Sequence, residues 1–586
     1  MIHQLLQDGL KEAVRQVLTG SDVSSIQVRP CPDPKFGDYQ CNALIALAKA
    51  RKMNPRELAT KVLAGLEVSE WCEKVEIAGA GFLNFRLKTS ALEQALNAAA
   101  RGGDLFFKRT EKPIRYVVDF SSPNVAKPMH VGHIRSTILG DCLARTLRLL
   151  GHQVITDNHI GDWGTQFGML IVGWKTLLDR AALDRDPLAE LERIYKAVQS
   201  KCDPEKPNYD AALHESARAE LVKLQQGDAE NLAIWREMKE LSQKQFDEIY
   251  SRLDIKFEHT LGESFYKDTV QKVYDELTTH GIAVESEGAL VVFQNEPEAK
   301  VNIKGHPFII RKRDGASNYA STDLATILYR KEKFKADRVL YVVDSRQRDH
   351  FDHLFATAVK WFTETKRNLF EPKLIDFGTI LGEDNKPLKT RSGENVKLRD
   401  LLDEAEERAF KIVSEKNPDL PELQRREIAR VVGIGAVKYA DLLPNRTSDY
   451  VFSWDKMLAL NGNTGPYLQY AYTRIRSIFR KDGKENADAA RQILEMKLAM
   501  PEEIALAKHL LNFGIVLEAV AEEYRPNYLC NFLYELAVHF ARFYESCPVL
   551  KAPEPERGSR LTLCDLTARV LKLGLHTLGI ETTEQM

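Results

Sequence analysis

Ser121-Ser122-Pro123-Asn124-Val125-Ala126-Lys127-Pro128-Met129-His130-Val131-Gly132-His133 joins a strand-like run to a helix-like one. Upstream, Ile114-Arg115-Tyr116-Val117-Val118-Asp119-Phe120 is short, β-branched and aromatic, the composition of a buried strand. Downstream, Ile134, Ile138, Leu143, Leu147 and Leu150 recur at helical intervals. Unpaired amides at the start of such a helix point over the strand's carboxyl end, and the macrodipole adds about half a positive charge. That place suits phosphate, and two imidazoles there can donate to its oxygens. A bare HxxH has two other readings, a pair of polar residues at a helix cap and a metal site. The metal reading is weakened because Val131 stands where an HExxH hydrolase has glutamate, and the similar constellation nearby is only His159 with Asp162.

A second strand-like run, Gly151 to Asn158, ends in Ile160-Gly161-Asp162-Trp163-Gly164, so two glycine-bearing turns follow two strands. In a doubly wound sheet both lie at the carboxyl edge, where ligands bind. From about Trp174 to Lys300 the sequence turns charged and helical, as an insertion between half-sheets would. Strand signals return at Pro307–Arg311, at Tyr319–Asp323 ahead of another helix, at Arg338–Asp344, and at Leu374–Gly378. A basic loop, Gly382 to Gly393, then precedes a helical remainder without strand blocks. Before the core, residues 1–105 alternate amphipathic helices (Ile2 to Leu18, Pro55 to Leu66) with apolar runs (Val75 to Ile77, Phe82 to Leu87), an α+β pattern.

At 586 residues the chain has room for about three to five domains. The first residues carry charge and amides where a signal peptide needs an apolar core, and no stretch approaches the roughly 20 apolar residues of a membrane span. We therefore expect a cytoplasmic chain with no membrane partner. Eight scattered cysteines form no CxxC pair, so they read as free thiols, without a zinc ribbon or a tightly bound metal. The net charge of −2 argues against a protein that coats nucleic acid by charge alone and, by itself, suggests a metabolic enzyme.

The turn closely resembles the HIGH signature of class I aminoacyl-tRNA synthetases. Ser121 through Thr137 resembles the arginyl-tRNA synthetase version in particular, and the likeness extends through Gly435-Ala436-Val437-Lys438-Tyr439 and Asn461 to Arg476 over nearly the whole chain. The resemblance implies an α/β fold: a class I Rossmann-like parallel-sheet catalytic core, an α+β N-terminal domain that contacts the tRNA elbow, and an all-α C-terminal anticodon-binding bundle. The expected boundaries are 1–105, 106–380 with a helical insertion at about 174–300, 381–450 for the loop and helical linker, and 451–586 for the bundle. It also implies an arginine–tRNA ligase that uses L-arginine, ATP with Mg2+ and tRNA(Arg), and that activates arginine only with tRNA bound. We expect a monomer.

In adenylate formation a carboxylate attacks the α-phosphorus of ATP as diphosphate leaves, so positioning and electrostatics carry the catalysis. His130, Gly132 and His133 suit one end of the triphosphate, with Gly132 sparing the adenine or ribose a side chain. Lys386, Lys389 and Arg391 suit the other end. Here the chain departs from the class pattern: a KMSKS loop is missing and Lys386-Pro387-Leu388-Lys389-Thr390-Arg391-Ser392-Gly393 stands in its place, with Lys127 a candidate to supply charge. A guanidinium is a planar fork of donors that is never deprotonated, so its pocket should hold carboxylates and hydroxyls. The resemblance assigns Tyr319, Asp323 and Gln347 to the grip on arginine and Asp119 and Asn124 to its α-amino end, counts Ser122 and His130 among the arginine-binding residues, and offers Glu263 as a second carboxylate for the fork. Such a pocket rejects lysine and ornithine by about 10⁴–10⁵, which makes editing unnecessary.

Phe36, Tyr39, Gln40 and Asn42 set rings beside amides, and Tyr467, Tyr470 and Arg474 interleave rings with charge. Both mixtures can stack and read unpaired bases, and both also fit ordinary core packing. Two other functions remain open on the sequence. One is a nucleotidyltransferase acting without RNA; the other is a noncatalytic tRNA-binding paralogue.

Overall fold

The computed structural model describes every residue except 103, 296–299, 314, 316, 391–393 and 484–495. The chain forms two compact units, Glu111–Leu458 and a discontinuous one of Met1–Thr110 with Ala459–Met586.

The central unit is organised by β1 (Arg115–Asp119), α1 (Val131–Leu149), β2 (Gln153–Asp157), α2 (Tyr319–Glu332), β3 (Arg338–Asp344), α3 (Arg348–Glu364) and β4 (Glu371–Phe377). The four strands are parallel in the order β4-β3-β1-β2. Val117, Val118, Val339 and Leu340 are fully buried, as in a parallel sheet covered on both faces. The chain reverses its direction of travel across the sheet between β1 and β3, which makes their carboxyl ends the ligand-binding crevice. α1 lies close over β1 because Gly140 permits it: a Cβ there would stand 2.2 Å from the Phe120 ring.

Three expectations are corrected. Pro307–Arg311 is outside the parallel sheet and forms a separate antiparallel sheet with Val284–Ser286 and Ala289–Phe293. Its residues alternate between exposed and buried, which suits a sheet wet on one face. The hairpin before it was missed because its turn is Glu287-Gly288, with φ of 50° and 81°, in place of the usual Asn-Gly. Tyr319–Asp323 is helical throughout: Asn318 caps α2, its side chain accepting from Ser321 N at 3.3 Å. A further strand, Tyr450–Val451, pairs with Ile380–Leu381, too short at two residues to leave a periodic signal.

In the second unit, the N-terminal part is a four-stranded antiparallel sheet flanked by helices including Ile2–Val17 and Pro55–Ala64. The C-terminal part is a bundle including Gly465–Lys481, Asn527–Ser546 and Glu556–Thr577. The last residues fold back on it: Gln469 Nε2 donates to Glu581 O at 2.8 Å and Tyr472 donates to Glu584 at 2.7 Å. Contrary to the composition reading, Pro501–Glu523 is long and apolar enough to cross a membrane. It is divided at Asn512 into two helices that pack in the bundle, and half of that stretch is buried. All eight cysteines are free thiols.

Candidate active site

Backbone strain concentrates in the turn after β1, where Ser121, Ser122 and Ala126 have φ of 73°, 49° and 64°. Side chains from elsewhere hold these conformations. Ser121 N donates to Ser136 Oγ (2.9 Å), Ser122 N to Asn158 Oδ1 (3.0 Å) and Ala126 N to Ser242 Oγ (2.9 Å). Strain retained in this way is typical of ligand-binding loops.

His130 is the N-cap of α1 and His133 its third residue. His130 Nδ1 accepts from Gly132 N, and His133 Nδ1 accepts from His130 N, each at 3.1 Å. An accepting Nδ1 leaves the hydrogen of a neutral imidazole on Nε2. Burial pulls the His130 pKa down, helped by Arg346 and Lys127, and drives His133 down to about 3, with His130 a lesser cause. Both rings, 4.0 Å apart, are therefore neutral donors. The expected cradle of free amides is corrected by the same bonds: Val131 N donates to Val396 O (2.9 Å) and His133 N to His130 O (2.8 Å), so first-turn amides are already engaged. The role of Gly132 shifts too, because a Cβ there would sit 2.8 Å from the His130 ring.

The basic loop's far end is zipped to this turn. Leu398 N donates to Met129 O at 2.9 Å, while Glu394 pairs at 3.0 Å with Lys196 of the inserted helix Pro187–Cys202. Lys386 and Lys389 are exposed; Arg391 lies outside the described residues. Lys127 places its ammonium 5.0 Å from the Tyr195 ring centroid.

At the carboxyl ends of β1 and β2, Asp119 and Asp157 share one guanidinium. Arg330, fully buried, places Nη2 2.8 Å from Asp119 and 2.7 Å from Asp157. Ser122 Oγ donates to the other Asp119 oxygen at 3.2 Å. Arg330 lies on α2, whose first turns carry Tyr319 and Asp323 on one face.

A cavity of about 680 Å³ opens beside them, with Asn124, Trp163, Glu263, Tyr319 and His350 among its walls. Asp323 accepts from His350 Nε2 at 2.6 Å, and His159 Nε2 lies 3.7 Å from its other oxygen. Burial pushes Glu263 up to about 7, opposed by His159 and reinforced by Asp323 and Asp162. Tyr319 is 60% exposed, leaving its ring open to a ligand. Gln347 is exposed in the short turn before α3 and, among the described residues, does not line the cavity. The structure thus brings Asn124, Glu263 and Tyr319 to one cavity, with Asp323 hydrogen-bonded to His350 of its wall. Sequence reasoning missed His350 and Arg330 and weighed His159 only beside Asp162 as a metal constellation; both histidines follow strands at the carboxyl edge, a position that could have flagged them for this cavity.

In the other unit, Phe36 is 60% exposed, whereas Tyr39 is only 2% exposed and donates to Asn512 at 3.0 Å. Tyr39 therefore offers no free face for stacking in this conformation, a correction to its assigned role. Asn42 is exposed and Gln40 half-buried. Tyr470 is exposed, Tyr467 packs 5.8 Å from Tyr534, and Arg474 lies 5.1 Å over Tyr544.

Comparison with known proteins agrees with this architecture. Residues 95–454 match the family described as tRNA synthetases class I (R), catalytic domain, which defines the central unit as a class I aminoacyl-tRNA synthetase core. Residues 3–87 match the arginyl tRNA synthetase N terminal domain and residues 468–586 the DALR anticodon binding domain. Similar relatives include the arginine–tRNA ligases of Chromobacterium violaceum, 45% identical with 100% of both chains covered, and of Pseudomonas fluorescens, 47% identical with 100% of this chain and 99% of that one. The solved arginyl-tRNA synthetases of Plasmodium falciparum (29% identity, 100% of this chain and 99% of that one) and Thermus thermophilus (26%, 100% of both) each superimpose with a TM-score of 0.82. The chain belongs to the arginyl-tRNA synthetase family.

Proposed function

We propose that the chain is an arginine–tRNA ligase. An oxygen of the arginine carboxylate attacks the α-phosphorus of ATP, diphosphate leaves, and a hydroxyl of the terminal ribose of tRNA(Arg) then takes the arginyl group as AMP leaves. The observation that carries the reading is the pairing, at one sheet edge, of a turn bearing two neutral imidazole donors with a cavity walled by carboxylates. The first end suits phosphate oxygens, and the second suits a guanidinium and an α-ammonium.

In this reading His130 and His133 donate from Nε2 to the triphosphate, and Gly132 keeps the His130 ring in place. Lys127, Lys386, Lys389 and Arg391 neutralise the leaving diphosphate, and Mg2+ accompanies ATP. Asp119 and Asn124 serve the α-amino end, with Ser122 and His130 beside the bound arginine; Glu263, Tyr319 and Asp323 serve the guanidinium, with Gln347 their companion at the next strand end. Phe36, Gln40, Asn42, Tyr467, Tyr470 and Arg474 contact tRNA. We take the enzyme to work as a cytoplasmic monomer without editing.

The test is aminoacylation of purified tRNA with ATP and each amino acid in turn. Arginine alone should be esterified. A chain that binds tRNA but charges it with nothing would be a noncatalytic paralogue, and adenylate formation indifferent to RNA would mark a small-molecule nucleotidyltransferase.

A further inference from the structure

Asp323 carries the guanidinium reading, yet its carboxylate does not stand alone. Its Oδ2 is 2.6 Å from His350 Nε2. An ionised carboxylate only accepts, so His350 carries hydrogen on that nitrogen. The bond joins the first turn of α3 to the second turn of α2, two helices that flank β3. His350 also reaches a second recognition residue: its ring lies 4.6 Å from that of Tyr319, tilted by 59°, and 5.6 Å from Phe308. One imidazole, itself a wall of the 680 Å³ cavity, therefore touches both side chains expected to hold the guanidinium.

The arrangement leaves room for substrate. A carboxylate offers about four lone-pair directions, and one N–H at Oδ2 occupies one of them. A bidentate fork needs both oxygens in its own plane, so a carboxylate free to rotate would lose the second bond during much of its motion. On the far side, His159 donates from Nδ1 to Leu261 O at 3.0 Å, since a carbonyl can only accept, and its Nε2 faces Asp323 Oδ1. The carboxylate is thus bracketed by two imidazoles, and of the two His350 is the one within hydrogen-bond distance of it.

We propose that His350 is a positioning residue for the guanidinium pocket, fixing the plane of the Asp323 carboxylate through its Nε2–H and the ring of Tyr319 by contact. It acts through these two side chains and determines how well a planar fork is held. The inference rests on the functional reading above and deepens it.

Two substitutions separate the two contacts. His350→Phe keeps a ring against Tyr319 and deletes the N–H, whereas His350→Gln keeps a donor near the position of Nε2. In aminoacylation with saturating ATP and tRNA, His350→Phe should raise the KM for arginine by about tenfold or more, the scale of one lost hydrogen bond to a charged group. kcat and the KM for ATP should stay near wild type. Inhibition by agmatine, which has the guanidinium but no carboxylate, should weaken by the same factor, and His350→Gln should recover most of the loss. If His350→Phe does not fold, His350→Asn, too short to reach Asp323, replaces it. An unchanged arginine KM, an equal rise in the ATP KM, unaltered agmatine inhibition or a glutamine variant as impaired as the phenylalanine one would each overturn the proposal. Wild-type protein that charges no tRNA with arginine would instead overturn the functional reading itself.

Discussion

At the phosphate end of the site, burial drives the His133 pKa down to about 3; at the amino-acid end, burial pushes Glu263 up to about 7. The same force acts in opposite directions because desolvation penalises whichever form is charged. The two ends differ in what they then offer. The histidines remain donors without a charge, fixed by bonds at Nδ1, whereas Glu263 stands ready to lose a proton when a cation arrives. At the phosphate end the two rings are set locally, by bonds between His130, Gly132 and His133. The amino-acid end is assembled from turns and helices that follow different strands.

The largest effect should come from the group that ties the second end together. Arg330→Met strands Asp119 and Asp157 without their shared counter-charge, and breaking a buried pair typically costs about 3–5 kcal/mol. Chemical denaturation should show that loss, and a variant as stable as wild type would mean that the strand ends are not clamped as described. Next, His130→Ala removes a donor at the first end and should reduce adenylate formation, assayed with tRNA present, by roughly a hundred- to a thousandfold. Affinity for tRNA should hardly change; equal losses in both would move His130 from chemistry to folding.

The smallest effect concerns protons. A guanidinium favours the ionised carboxyl, so arginine affinity should rise as pH increases through about 7 and then level off. Glu263→Gln should flatten that dependence. For the free protein the sign reverses. The folded pKa is above the ordinary glutamate value of 4.5, so this group's contribution to stability is full below that value and is lost as pH rises towards about 7. An arginine affinity independent of pH in the wild type would remove Glu263 from the guanidinium's surroundings.

The contrast between the ends also explains what could be read from the sequence. Ser121 to His133 is local: strand composition, glycine and helical period lie in one uninterrupted stretch, so the phosphate turn was legible, although the bonds that consume its amides involve Val396 and were not. Tyr319 and Asp323 were found, but as a strand end, because the Asn318 cap that makes them helical outweighs a short run of β-compatible residues. Arg330 left no pattern, and His350 and His159 left only their place after strand ends, since the partners of all three lie on other elements. Tyr39 failed for the same reason: a ring beside amides reads as a surface for bases until Asn512, 473 residues away, accepts its hydroxyl.

The central claim is that a charged fork is recognised at the carboxylate-walled end. Citrulline tests it most directly, because it matches arginine in length and shape while replacing the charged fork with a neutral urea. With ATP and tRNA(Arg) in excess, the account predicts kcat/KM for arginine about 10⁴-fold or more above that for citrulline. Esterification of citrulline at a rate comparable to that of arginine would contradict it.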